Sequence, residues 1–184
     1  MARESGRLSP VERSLDMTMP NLCDRYRTWF DYEQRAHEKV LRSLHTVPAS
    51  RRHEPAFQQA IGLMGHIVAA RWLWLHRFGV ADKGPAGIFP EGLALEELDA
   101  LVDEMHIAWS AYLGRVDEAE LAREFDYRSL EGPRYRNTVE DLLTQLFGHS
   151  WYHRGQIAAL IRSLGGKPAG TDYLFWRRQP IASQ

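Results

Sequence analysis

Apolar residues recur at three- and four-residue steps from about Asn21 to Leu44, through Tyr26, Trp29, Phe30, Val40, Leu41 and Leu44, with Glu33 and His37 on the same stripe. That period predicts an amphipathic helix. The pattern breaks at Val47-Pro48-Ala49-Ser50 and resumes after Pro55, a residue suited to a helix's first turn, in a segment that is apolar almost all round as far as Phe78. Gly79 and the Gly- and Pro-rich stretch around Lys83-Gly84-Pro85-Ala86-Gly87 predict a stop and a loop. A third helix is predicted from about Leu95 to Leu113 on Leu98, Val102, Met105, Trp109 and Tyr112. Between Arg115 and Arg136 the helical period fades, and Phe125 to Arg128 and Arg134 to Arg136 flank a Glu131-Gly132-Pro133 turn, which predicts a short β-hairpin. Thr138 with Asp141 resembles a capping box, so the fourth helix should run from there through Leu164 to Gly165-Gly166. Tyr173 to Trp176 is too apolar to stay in water and should dock on the helices.

The expectation is therefore an all-α four-helix bundle over residues 21–178, with a long connection before the fourth helix that carries the hairpin. Residues 1–20 are polar and aperiodic and read as a flexible tail, and 179–184 as a second, short tail.

The sequence has 184 residues, 44% of them hydrophobic, enough for one buried core. Its 23 Lys and Arg against 24 Asp and Glu leave a net charge of -1, so no basic field favours nucleic acid. One cysteine, Cys23, closes no disulfide within the chain and makes no thiolate zinc finger. The most apolar stretch, Ala60 to Leu75, is interrupted by His66 and Arg71 and is too short to span a bilayer, and the start of the chain carries Arg and Glu instead of an apolar signal segment. A cytoplasmic protein is expected.

The chemistry concentrates in Gly148-His149-Ser150-Trp151-Tyr152-His153-Arg154-Gly155-Gln156. Residues four apart on a helix project from one face, so His149 and His153 can converge on one metal ion. Their face continues through Leu142, Leu146 and Leu160 and should look inward, where two imidazoles are costly unless each finds a partner. Two ligands hold an ion weakly. His66, midway along the most apolar helix and beside the small residues Gly62, Gly65, Ala69 and Ala70, is the best third, because small neighbours let another helix approach. Three imidazoles would leave a coordination position open, as in catalytic sites. The plainer reading of each ring is a hydrogen-bonded core histidine. His37 and His106 stand as further ligands or pocket residues, and His45, His53 and His76 as surface residues. Trp72, Trp74, Trp151, Tyr152 and Trp176 read first as core or interface, and otherwise as the walls of an apolar substrate pocket.

Other reaction types lack their residues. Ser150 stands where a zinc protease motif needs Glu, no GxSxG or phosphate-binding glycine loop occurs, and no Glu-x-x-His pair marks a di-iron bundle.

A histidine mid-way along the second helix, the run His149-Ser150-Trp151-Tyr152-His153-Arg154-Gly155-Gln156-Ile157 on the fourth, and Gly165 with Pro168 together resemble the DinB/YfiT-like superfamily of metalloenzymes, from about Leu22 to Trp176. The resemblance implies a four-helix bundle with a crossover connection, a divalent ion (zinc or nickel, with iron or manganese in relatives) on His66, His149 and His153, and a homodimer. It also implies a small-molecule substrate, with a low-molecular-weight thiol as co-substrate of an S-transferase or isomerase. The alternatives are a metal-dependent hydrolase and a non-catalytic, stress-related metal-binding protein. Within that resemblance Arg154 would hold a carboxylate or orient a neighbouring helix, Gln156 would hydrogen-bond a ligand or a ligating residue, and Gly155 would admit a partner helix.

Overall fold

The computed structural model describes residues 21–181. The tail expected over 1–20 and the end of the tail expected over 179–184 lie outside the described residues. In chain order the elements are α1 (Leu22–Leu44), α2 (Pro55–Arg77), α3 (Leu95–Arg115), the short α4 (Glu118–Ala122), β1 (Glu124–Arg128), β2 (Arg134–Thr138), α5 (Val139–Ser163) and the short α6 (Tyr173–Arg177). The described residues are thus mostly helical, with one small antiparallel sheet among them.

Local chemistry places the helix ends. The Asn21 side chain accepts from the Asp24 N–H at 2.8 Å and starts α1. At α5, Thr138 Oγ1 accepts from the Asp141 N–H at 3.1 Å while the Asp141 carboxylate accepts from the Thr138 N–H at 3.2 Å, so Asp completes the box in place of Glu. Gly165, at φ +75°, ends α5 in the left-handed region, and the Gly166 N–H closes back on the Ile161 carbonyl at 2.9 Å. The hairpin pairs Glu124 with Thr138 through to Arg128 with Arg134. Helix α4 is an addition to the expected elements: Asp117 caps it, only Leu121 is buried, and five residues are too few to show a period.

The long helices pack α1 on α3, α3 on α2, α2 on α5 and α5 back on α1. Consecutive α1 and α2 therefore sit diagonally, and the connection between them, with a 3-10 turn at Ala49–Arg51, crosses the end of the assembly. Tyr26 and Phe30 of α1, Met64, Ile67 and Leu75 of α2, Leu98, Met105 and Trp109 of α3, and Leu143, Phe147 and Ile157 of α5 fill the shared core. Arg27 of α1 donates to the Leu113 and Val116 carbonyls and so satisfies the open end of α3. The segment around α6 docks on α1, as expected from its composition. Tyr32 donates to the Thr171 carbonyl, and its ring lies 5.2 Å from Tyr173 and 5.7 Å from Trp176.

Candidate metal centre

His66 comes from the middle of α2, and His149 and His153 from consecutive turns of α5, the helix packed most closely against it. Their rings meet. His149 Nε2 lies 3.1 Å from His66 Nε2 and 2.9 Å from His153 Nε2, and one ligand atom from each of the three falls within 4.8 Å of the others. His66 is buried, whereas His149 and His153 are half-buried at the margin of the α5 inner face, so the centre lies near the surface and not at the middle of the core.

Two of the rings are fixed from behind. His66 Nδ1 stands 2.5 Å from the Ile88 carbonyl, which can only accept, so Nδ1 carries the proton and Nε2 presents a bare lone pair. His153 Nδ1 donates in the same way to Gln156 Oε1 at 2.7 Å. The Phe89 ring stacks on His66 at 4.2 Å, nearly parallel to it. His149 Nε2 has at most one proton to share between two facing lone pairs. At least one close approach between nitrogens therefore stays repulsive unless a cation sits among them, and this is the observation on which the fit of a metal rests.

Burial favours the neutral form of His149 and His66. Burial, then the neighbouring His153 and His66, pull the His149 pKa down to about 4, and burial lowers that of His66. Neutral imidazole is the ligating form.

Behind the histidines lies a separate buried polar group. Arg71 of α2 pairs with Glu33 of α1 at 2.5 Å and lies over the rings of Trp109 and Phe147. His37 bridges His106 Nε2 at 3.0 Å and Ser150 Oγ at 3.1 Å. His37 and His106, candidates for further ligands, thus bond to each other and do not join the three-histidine group.

Among the described residues Arg154 meets no carboxylate; it donates to Tyr32 Oη at 2.8 Å and lies over that ring, fixing α5 to α1. A Cβ at Gly155 would meet nothing within 4 Å among the described residues. Gly65 is close-packed, but against the loop after α2: a Cβ there would stand 2.7 Å from Pro90 Cγ and 2.9 Å from Leu93 Cδ2, so the small residue admits a loop where a helix was expected. His45, His53 and His76 are exposed, and so are Trp151 and Tyr152, while Trp72, Trp74 and Trp176 are partly buried. Ile88 and Phe89 carry no signal in the sequence, because a carbonyl and a loop phenylalanine twenty-two and twenty-three residues from His66 fit no motif.

The DinB family matches residues 17–181 of the chain. Protein DinB of Bacillus subtilis (strain 168) is 22% identical over 154 residues, which cover 78% of this chain and 88% of that protein. No solved structure matches the chain.

Proposed function

The chain belongs to the DinB family, and from that premise we propose that His66, His149 and His153 hold a divalent metal ion, zinc or nickel before iron or manganese, in an enzyme that transfers or isomerises through a low-molecular-weight thiol. The packing of α1, α3, α2 and α5 in a ring is read as the family's four-helix bundle with a crossover connection, over residues 21–178. The observation that carries the metal is the convergence of three Nε2 atoms, two of them deprotonated by what holds the opposite ring nitrogen. Bound there, the cation would supply Lewis acidity, lowering the pKa of a thiol so that its thiolate exists near neutral pH.

The chain's own residues do the rest. The Ile88 carbonyl and Gln156 keep protons at Nδ1 of His66 and His153 and aim the rings. Phe89 covers one face of His66, and α2 against α5 fixes the spacing. Three protein ligands leave room for one from solution, which is what distinguishes a catalytic from a closed structural site. Cytoplasmic placement is proposed with this reading, since a thiol co-substrate and the free, buried Cys23 suit a reducing compartment. No helix among the described residues is long and apolar enough to cross a membrane.

Elemental analysis of protein purified without chelator, followed by transfer assays with several thiols, tests the reading. About one ion per chain is expected in the native protein, and none in His153→Ala with helix content retained. Metal-free native protein that cannot be reconstituted would overturn it. Loaded protein that hydrolyses substrates without any thiol would favour a hydrolase, and loaded protein without turnover a binding role.

A further inference from the structure

A cavity of about 640 Å³ lies between α2, α3 and the loop that joins them. Val68, Ala69 and Trp72 of α2, Leu101 of α3, and Phe89 and Pro90 of the loop form its walls. The charged residues that line it, Lys83 and Glu91, are exposed and of opposite sign, so the cavity has an apolar interior with no net charge. Its volume falls within the roughly 300–1,000 Å³ of small-molecule sites. None of the three histidines lines it. It adjoins them through the loop: Phe89, a wall of the cavity, stacks on His66, Ile88 next to it holds His66 Nδ1, and Pro90 presses on Gly65, the neighbour of His66.

We propose that this cavity binds the apolar body of an uncharged aromatic substrate, with Phe89 as the partition that sets how closely its reacting end approaches the histidines. Indole and phenyl faces on two walls suit an aromatic guest, which gains from offset or edge contacts beyond the area it buries. A strongly charged guest would surrender its hydration to walls that offer no counter-charge inside. A loop shared by cavity and centre makes occupancy and ring position interdependent. The orientation toward the histidines rests on the metal reading, whereas the cavity's affinity for apolar rings does not.

The test uses N-phenyl-1-naphthylamine, an uncharged aromatic fluorophore, titrated into the full-length chain as purified, with metal content measured on the same samples. Saturable binding at one site per chain is expected, weakened at least tenfold in Leu101→Trp, which fills the cavity, and unchanged in Tyr135→Trp, which adds an indole on the exposed hairpin. Ala86→Trp, on the loop wall, serves as a second filling variant should Leu101→Trp fail to fold. Metal content should be the same in the filling variants and the native chain, so loss of the probe and loss of the ion are read separately. Absence of saturable binding, or equal affinity in the filling variants, would overturn the proposal.

Discussion

Gln156 acts on the centre through one proton. By accepting from His153 Nδ1 at 2.7 Å it fixes which nitrogen of that ring is bare, and outer partners of this kind are typically worth about 10–100-fold in metal affinity. Gln156→Ala is expected to weaken metal binding within that range, measured by competition with a chromophoric chelator, while circular dichroism stays native; an unchanged affinity would mean that the ring is aimed by packing alone. Glu33 and Arg71 illustrate a different constraint. The pair is buried, and Arg71 Nε and Nη1 find no partner among the described residues, so removing the carboxylate strands a cation in the core. Glu33→Ala should cost about 3–5 kcal/mol in urea denaturation, while joint replacement by Leu at 33 and Met at 71 should cost distinctly less. If the single and double variants are equally damaging, packing around the pair outweighs its charge.

At the scale of elements, His37 of α1, His106 of α3 and Ser150 of α5 connect three helices in one hydrogen-bonded row. Burial holds His37 well below its ordinary value of 6.5, helped by the nearby Arg154, His106 and Arg71, and burial also lowers His106 against the opposing pull of Glu33 and Asp103. The unfolded chain takes up protons at these rings near pH 6.5, and the folded chain does not. Stability is therefore complete above about pH 6.5 and falls as the pH drops below it toward the depressed folded values. The urea midpoint of chelated protein should be flat from about pH 8 to 7 and decline by about pH 5.5. A midpoint constant across that whole range would contradict neutral, buried rings. The row also explains why these two histidines, read from the sequence as possible ligands, serve the packing: their lone pairs and protons are used on each other and on Ser150.

For the whole molecule, the α1, α5 and α6 side is unusually aromatic. Trp151 lies 5.7 Å from Trp29 and 6.5 Å from Tyr32, and Tyr152, Leu174 and Phe175 are each at least 60% exposed. Exposed apolar side chains of this kind mark interaction surfaces, and the homodimer that the family resemblance implies would cover some of them. Analytical ultracentrifugation should show a dimer, shifted toward monomer in Trp151→Glu; a native chain that sediments as a monomer at high concentration would refute it.

Much of this protein was determined locally. The period of three to four residues, Pro55 in a first turn, Thr138 with Asp141 at one helix start and Gly165 at its end set the four long helices within about two residues of where they lie, because caps and periodicity act over a single turn or face. The i,i+4 spacing of His149 and His153 likewise guaranteed one shared face. Which third residue meets them was a matter of packing: His66, His37 and His106 all lie on inward stripes, and only the placement of α2 against α5, with α1 and α3 at the other corners, brings His66 alone to the pair. The Ile88 carbonyl behind His66, the Phe89 ring beside it and the loop seated on Gly65 are long-range contacts with no period or motif. They arise from how the connection folds back over α2, which no local preference along the chain encodes.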